Sequence, residues 1–323
     1  MNFFKNFFIY RSSSVFLIFI SLVLVFIFLS PEHRFISPEN IEILLAEGSE
    51  FSIVVLGIGL LMICGEFDLS LGSILVFCAF VFFKFFQAGM NLFFAAGIIL
   101  VIGAILGLLN GLITTKGYIS SFITTLGTRM FWRGLMLLLS KGFTTPINRT
   151  TSPLFCHILT GKLGGFVPVQ VIWFIAVVLI LGFLLHSHKF GNWVYAAGGN
   201  EPAARAMGIN TDWVKIACFT IVGVLSAFVG VMQVIRVSAF FPQAGTGWEL
   251  KAIASSVVGG TALMGGKGSM VGIFLGALII AVIENALVML RIPYFYSHIV
   301  FALVIITSVL LSRHTERRRM RRG

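Results

Sequence analysis

Polar side chains that could act chemically are few in this sequence, and most lie within or between long apolar runs. Seven are candidates for the lining of a path through a membrane: Asp68, Ser70, Asn110, Gln233, Glu249, Glu284 and Asn285. A charged side chain at the centre of a bilayer costs about 2.5–3.5 kcal/mol on insertion scales, so such residues usually face the interior of a helix bundle. Each could instead serve only as a helix-to-helix hydrogen bond, and the residues alone leave both roles open.

The sequence carries no signature of an enzyme. GGTALMGGKGS at 259–269 comes near a phosphate-binding P-loop because Gly260 and Gly265 have the loop spacing, but Gly266 follows them and Lys267 precedes a glycine. We therefore predict a tight turn there. The four cysteines show no C-x-x-C spacing, and the histidines at 186 and 188 fit a solvated helix end. We expect no catalytic residue, no metal site and no cofactor bound by this chain.

Composition places the chain in a bilayer. Of its 323 residues, 58% are hydrophobic and only 11% are charged, and the mean hydropathy is +1.02. A soluble protein of this size could not shield so much apolar surface from water. Apolar runs of about 20 residues recur and alternating strands are absent, so the spans are expected to be helices. The predicted fold is an all-α, polytopic membrane helical bundle of about ten transmembrane helices, forming one domain over residues 1–323.

The hydropathy pattern gives the expected positions of these spans. They fall at 14–29, 51–64, 70–88, 92–114, 119–139, 168–186, 213–235, 250–263, 269–290 and 293–311, with a polar link at 140–165. The segment at 14–29 resembles the core of a signal peptide, but no small-residue cleavage site follows, so we expect it to be retained. The acidic segment at 32–50 is expected on the outer side of the membrane, opposite the cytoplasm.

The distribution of positive charge sets the expected orientation. With both termini cytoplasmic, thirteen Lys and Arg fall inside and eight outside, which agrees with the excess of basic residues on cytoplasmic loops. Cytoplasmic parts would be residues 1–13, the loop 187–212 and the basic tail 312–323. We assign the net charge of +11 to membrane flanks and anionic lipid rather than to nucleic acid. Arg129 and Arg133 fall within the fifth span on one helical face, where they could neutralise buried carboxylates.

A polar island, YAAGGNEPAARAMGIN at 195–210, has the residues of a short capped helix. Asn200 can cap its start, Glu201 places a negative charge in its first turn, and Gly208 can take the left-handed conformation that ends it. Two turns of helix are too short to be stable alone, so the segment needs a packing partner. It is either a plain connector or a docking site for a soluble protein.

Two sets of glycines recur every four residues, one at 103, 107 and 111 and the other at 268, 272 and 276. This spacing places each set on one helix face and predicts close contact with a neighbouring helix.

Several longer motifs make the chain resemble the permease subunits of bacterial ABC sugar importers. They are GEFDLSLGS, TTLGT with the following Arg133-Gly134, YAAGGNEPAARAMGIN and AGTGWELKAIASSVVGGTALMGGKGS, and with the tenth span they cover residues 50 to 312. Within that family the GTG-x-EL-x-AIA and GGT-x-L-x-GGKG patterns are most similar to the ribose permeases.

The resemblance implies partners and a mechanism. It implies a second permease subunit, identical or paralogous, in the bacterial inner membrane and a cytoplasmic ABC ATPase that binds ATP and Mg²⁺. It also implies a periplasmic binding protein that delivers a ribose-like sugar to the permease. It also implies that a cytoplasmic loop helix seats in the ATPase. By this resemblance, the residues expected to contact the ATPase are Gly198, Gly199, Asn200, Glu201, Ala203, Ala204, Arg205, Gly208 and Ile209. Pro202 and the lack of a downstream I-x-L-P depart from the related EAA loop.

A secondary transporter or channel driven by an ion gradient is the alternative. In that case Asp68 and Glu284 would be ion or proton sites. The polar island at 195–210 separates the two hypotheses, because a self-contained transporter does not need a docking helix.

Overall fold

The computed structural model describes residues 11–148 and 152–292, together with residues 296, 299, 302, 303 and 306. Within these residues the protein is a helical bundle with four two-residue strands. The helices are α1 (Arg11–Leu29), α2 (Pro38–Ile63), α3 (Leu71–Gln87), α4 (Leu92–Lys116), α5 (Ser121–Ser140), α6 (Pro153–Thr160), α7 (Gln170–His186), α8 (Lys189–Gly199), α9 (Glu201–Ala206), α10 (Thr211–Val237), α11 (Trp248–Val258) and α12 (Met270–Met289), with a 3-10 helix at Pro31–Ile36.

Among the described helices, four are long and apolar enough to cross a bilayer, namely α2, α4, α10 and α12. Helices α7 and α8 meet that criterion together, but a bend of 71° separates them. The helical membrane fold is therefore confirmed, while the count of ten spans stays a prediction. The tenth span at 293–311 lies almost wholly outside the described residues, as do residues 1–10 and the tail at 312–323.

The long helices begin where the sequence supplies a capping side chain. Each first turn has backbone N–H groups without an intrahelical partner, and a Ser or Asn side chain accepts from one of them. The caps of the four long helices are Ser37, Asn91, Asn210 and Ser269.

Helix α10 is the centre of the bundle and packs along α4, α3 and α2. Its closest contact is with the glycine face of α4, as the spacing predicted. A Cβ atom at Gly107 would lie 2.3 Å from the carbonyl oxygen of Phe219, and one at Gly223 would lie 2.1 Å from that of Gly103. The second glycine set makes the same kind of contact, since a Cβ atom at Gly276 would lie 2.0 Å from the oxygen of Ser255 in α11.

Ion pairs tie the two ends of α10 to its neighbours. At its start, Asp212 lies 2.7 Å from Lys116 at the end of α4. At its other end, Arg236 lies 2.9 Å from both Glu47 and Glu50 of α2. Helix α10 is 27 residues long, or about 40 Å at 1.5 Å per residue. We call these two sides of the bundle the Asp212 end and the Arg236 end.

Two predicted spans have the wrong bounds. The span predicted at 51–64 begins thirteen residues earlier, because α2 starts at Pro38 and carries Glu42, Glu47 and Glu50 as helical residues rather than as a loop. Hydropathy placed the start too late because the carboxylate of fully buried Glu50 is neutralised by Arg236, a residue far away in sequence.

The span predicted at 250–263 is only a short helix. Helix α11 has 11 residues, or about 16 Å, which is about half of a hydrocarbon core of about 30 Å. It ends at Val258 with Gly259 as its C-cap, and Gly260 follows with φ +93°, a conformation that stops the helix.

The polar link at 140–165 contains the short helix α6 and two short strands, each of which pairs with a strand outside the link. Strand β1 (Thr145–Pro146) pairs antiparallel with β4 (Ala239–Phe240), and β2 (Lys162–Leu163) pairs antiparallel with β3 (Val167–Pro168). The first pair fixes the link to the chain just after α10, at the Arg236 end.

Candidate functional site

The predicted pathway residues form two separate groups. Asp68, Ser70, Asn110 and Glu249 lie buried inside the bundle. Gln233, Glu284 and Asn285 line a pocket at the Arg236 end.

The first group is held by hydrogen bonds around Asp68. Its Oδ1 accepts from the backbone N–H and the hydroxyl of Ser70, at 2.6 Å each. The side-chain amide of Asn110 donates to the Ser70 hydroxyl at 2.8 Å and to Asp68 Oδ2 at 3.4 Å. Asp68 is fully buried, and its bonds to Ser70 close a local turn that starts α3.

Two arginines of α5 approach the same region, as the sequence suggested. Arg129 makes an ion pair with Glu249, whose side chain is only 2% exposed. Arg133 donates to the carbonyl oxygens of Pro242 at 2.7 Å and Ala244 at 3.2 Å. The hypothesis of a neutralised carboxylate therefore holds for Arg129, while Arg133 fixes the loop that leads into α11.

The first turns of α3 and α11 meet inside the bundle. A Cβ atom at Gly72 would lie 2.2 Å from the carbonyl oxygen of Gly245 and 3.2 Å from Glu249 Oε2. Helix N-termini carry a partial positive charge, which favours carboxylates such as Asp68 and Glu249 beside them. Broken helices whose N-termini meet in the bundle are typical of transporter binding regions.

The second group lines a pocket of about 330 Å³ between α2, α10, α11 and α12. Its polar lining consists of amides, one hydroxyl and two ion pairs, and its apolar lining includes three aromatic rings. Asn285 exchanges two hydrogen bonds with Asn40, at 2.9 and 3.0 Å. The lining residues used below are Glu47, Phe51, Gln233, Arg236, Phe241, Gln243, Trp248, Lys251 and Glu284.

The polar island lies at the opposite, Asp212 end and folds as predicted. The Asn200 side chain accepts from the N–H of Ala203 at 3.1 Å, and Gly208 has φ +83°. Between them α9 is six residues long. Of these six, Ala204 alone is buried, and Met207 just after the helix is 71% exposed. The helix therefore presents most of its surface outward.

A network of ion pairs joins α9 to the ends of other helices. Glu201 lies 2.8 Å from both Arg205 and Lys215 and accepts from the Thr211 hydroxyl at 3.1 Å. Partial burial alone would raise the pKa of Glu201, but the hydrogen bonds from Lys215, Arg205 and Thr211 outweigh it and hold that pKa below its ordinary value. Lys215 also lies 2.7 Å from Glu66, in the break between α2 and α3.

The predicted tight turn at 259–269 is confirmed and packs against the end of α8. The N–H of Gly266 donates to the carbonyl oxygen of Ile63, the last residue of α2, at 2.8 Å. Gly198 near the end of α8 adjoins the same point, since a Cβ atom there would lie 1.9 Å from that oxygen. Tyr195 donates its hydroxyl to the Gly268 oxygen at 2.8 Å. Gly198 is thus an internal junction that supports α9, and the outward surface begins after it.

Several residues of both regions were not singled out in the sequence. Around α9 they are Glu66, Lys116, Asp212 and Lys215, and in the pocket they are Phe51, Arg236, Trp248 and Lys251. Glu66 stands inside the quoted motif GEFDLSLGS, and Trp248 and Lys251 stand inside AGTGWELKAIASSVVGGTALMGGKGS, so these motifs gave a signal that could have found them. The others pair only through tertiary contacts, for which a single sequence carries no local signal.

Comparison with known proteins shows the family of the chain. A family model described as the branched-chain amino acid transport system permease component matches residues 40–309. The chain is 35% identical to the ribose import permease protein RbsC of Haemophilus influenzae over 93% of this chain and 92% of that protein. It is 37% identical to RbsC of Bacillus subtilis over 90% and 89%, and 36% identical to the D-allose transport system permease protein AlsC of Escherichia coli over 91% and 90%. None of the solved structures matches significantly.

Proposed function

The chain belongs to the family of branched-chain amino acid transport system permease components, and from this premise we propose that it is the membrane-spanning subunit of an ATP-driven importer of a sugar. A ribose-like monosaccharide is the substrate that the names of its relatives support, since they import ribose or allose. In this proposal the chain supplies the path and binds no nucleotide. ATP and Mg²⁺ bind to a partner ATPase, where hydrolysis takes place.

The observation that carries the proposal is the outward surface of α9. A six-residue helix with one buried residue gains little stability from packing on its own chain. Packing therefore does not explain why ion pairs hold this helix in place with its surface outward. A soluble partner that covers Ala203 and Met207 would supply the missing contacts. The network from Glu201 through Lys215 to Glu66 would then carry movement of that partner to the segment that holds Asp68.

The remaining partners follow from this orientation. If α9 faces the cytoplasm, the Arg236 end faces outward, where a periplasmic sugar-binding protein delivers the substrate. A second permease subunit, either a copy of this chain or a paralogue, completes the pore in the bacterial inner membrane. We also propose that both termini are cytoplasmic, as the distribution of positive charge predicts, and that lipid covers the outer faces of the bundle.

Uptake by the assembled importer in proteoliposomes tests the proposal. We expect labelled D-ribose to enter only when ATP is present on the α9 side, and no sugar to enter when an ion gradient replaces ATP. Uptake driven by the gradient without ATP would overturn the proposal in favour of a secondary transporter.

A charge reversal with a matched control sharpens this test. Glu201→Lys places a cation beside Arg205 and Lys215 and should abolish sugar uptake while the protein remains inserted. Glu39→Lys makes the same change at an exposed position on the opposite end and should leave uptake unchanged. Normal uptake in Glu201→Lys would contradict the role given to α9.

A further inference from the structure

The four charged side chains that line the pocket at the Arg236 end are all engaged in ion pairs, and Arg236 is shared with the buried Glu50, which lies outside the lining. The lining carries two acidic and two basic side chains. Arg236 lies 2.9 Å from Glu47, and Lys251 is paired with Glu284. A charged ligand, or a zwitterion with an ammonium and a carboxylate, would have to displace these pairs to find its own partners. This is costly because the two cations, Lys251 and Arg236, are largely buried, at 7% and 23% exposure. The pocket is therefore suited to an uncharged ligand.

One polar group in the pocket lacks a partner. Gln233 is only 4% exposed, and its Oε1 makes no hydrogen bond to any residue that the structure describes. Buried polar atoms are nearly always paired, because an unsatisfied one is unfavourable. This oxygen is itself closed to solvent, so a turn of the Gln233 amide toward the pocket would let a ligand hydroxyl donate to it and complete the site.

Aromatic rings form the apolar part of the same pocket. Phe51 and Trp248 meet edge to face, with 5.3 Å between ring centroids and 82° between planes, and Phe241 lies on the same lining. The C–H face of a sugar ring is apolar and packs against the negative face of an aromatic ring. An aromatic wall with a few placed polar groups is the usual form of a small-molecule site, and about 330 Å³ is at the small end of the usual range of about 300–1,000 Å³.

The position of the pocket matches the start of import. Gln233 stands 22 residues after Thr211 on α10, or about 33 Å along the helix. It is therefore far from α9 and on the side from which substrate would arrive.

We infer that this pocket is a resting site for one neutral monosaccharide on its way through the bundle. Gln233 accepts a hydrogen bond from a sugar hydroxyl, and Trp248 and Phe51 hold the face of the ring. The inference rests on the proposed function. It makes a monosaccharide, rather than a branched-chain amino acid, the ligand of this pocket.

Protection of an introduced cysteine tests the site directly. All four native cysteines are buried, so a hydrophilic maleimide added to the full chain in detergent should label only an introduced, exposed cysteine. Gln243 lines the pocket and is exposed, which makes Gln243→Cys the reporter. Lys141→Cys, exposed and outside the pocket, is the matched control.

We expect millimolar D-ribose to slow labelling of Gln243→Cys at least threefold, and L-leucine to leave it unchanged. Neither compound should affect Lys141→Cys. Adding Gln233→Leu, or Gln233→Met as a second variant, to Gln243→Cys should remove the protection by ribose. Equal protection by leucine, no protection by ribose, or protection that survives both Gln233 variants would overturn the inference.

This result separates the pocket from the proposed function. ATP-driven ribose uptake by the importer without protection of Gln243→Cys would refute the resting site alone. Protection in a protein that takes up ribose only on an ion gradient would refute the ATP-driven importer and leave the site in place.

Discussion

Lys215 in the second turn of α10 places its ammonium 2.7 Å from the carboxylate of Glu66, in the break between α2 and α3. The same ammonium lies 2.8 Å from Glu201 of α9. Both the Lys215 and the Glu66 side chains are largely buried, at 12% and 13% exposure. One cation thus connects the outward helix to the segment GEFDLSLGS at 65–73, which also holds the buried carboxylate of Asp68.

Replacing this cation should uncouple the two ends of the protein. Lys215→Met removes charged hydrogen bonds worth about 1.5–3 kcal/mol, which corresponds to roughly tenfold or more in a coupling equilibrium. We expect ATPase activity to persist in the assembled importer while sugar moved per ATP falls about tenfold. Lys189→Met, at an exposed position of α8, is the control and should transport normally. An unchanged ratio in Lys215→Met would show that this contact does not carry coupling.

The attachment of α9 should depend on pH through Glu201. Because the folded-state pKa of Glu201 lies below its ordinary value of 4.5, the charged carboxylate stabilises the attachment above that pH. This contribution is lost as the pH falls from 4.5 through the lowered folded-state pKa. Hydrogen exchange of the peptide 201–208 measures the effect by comparing the wild type with Glu201→Gln.

We expect the wild type to be better protected by a constant amount from pH 8 to about 5, and the difference to disappear in more acidic solution. Pro202 has no N–H, and the amides from 203 to 208 have the same neighbouring side chains in both proteins, so their intrinsic exchange rates cancel in the comparison. A difference that grew on acidification would mean that the ion pairs do not hold the helix.

The contact between α4 and α10 gives a prediction on stability. Gly107→Ala would place a methyl group 2.3 Å from the Phe219 oxygen and force the two backbones apart. Overpacking of this kind costs about 1–3 kcal/mol. Gly97→Ala on the same helix meets nothing within 4 Å and should be neutral or stabilise by about 0.5–1 kcal/mol, since alanine is the better helix former. Thermal unfolding in detergent should show a lower Tm than the wild type for Gly107→Ala and not for Gly97→Ala. Equal Tm values for the two variants would contradict the close contact.

The pair formed by Arg129 and Glu249 should respond unequally to the loss of either partner. Arg129→Met leaves the carboxylate of Glu249, which is 2% exposed, buried without its cation, and breaking such a pair costs about 3–5 kcal/mol. Glu249→Gln leaves Arg129, whose side chain is 36% exposed and can reach solvent, so it should cost less. The double variant should recover part of the loss. Folded yield and sugar uptake measure this, and a larger loss in Glu249→Gln would contradict the assigned burial.

The sequence was sufficient for features that depend on near neighbours. The cap at Asn200, the left-handed Gly208 and the glycine faces of α4 and α12 follow from local geometry, and each is found in the structure. Family motifs supplied the role that we propose for the 195–210 segment, which composition alone left open.

What the sequence could not supply depends on distant partners. Nothing near Glu50 in the chain reveals that Arg236 neutralises it 186 residues later, so the start of α2 was placed too late. In the same way, the pocket exists only because Gln233, Trp248 and Glu284 come from three different helices that pack together. Periodicity also could not distinguish the half-length α11 from a full span, since apolar residues continue through the turn that follows it.

The most direct test of the central claim is site-specific photo-crosslinking in native membranes. A photoreactive residue at Met207, beside α9, is compared with one at Phe143, which is 68% exposed at the other end. After mild-detergent purification, mass spectrometry identifies the crosslinked proteins. We predict that an ATPase with a P-loop is captured at Met207 and not at Phe143. Capture of the ATPase at Phe143, or its absence from both products and from the purified complex, would contradict an importer driven through α9.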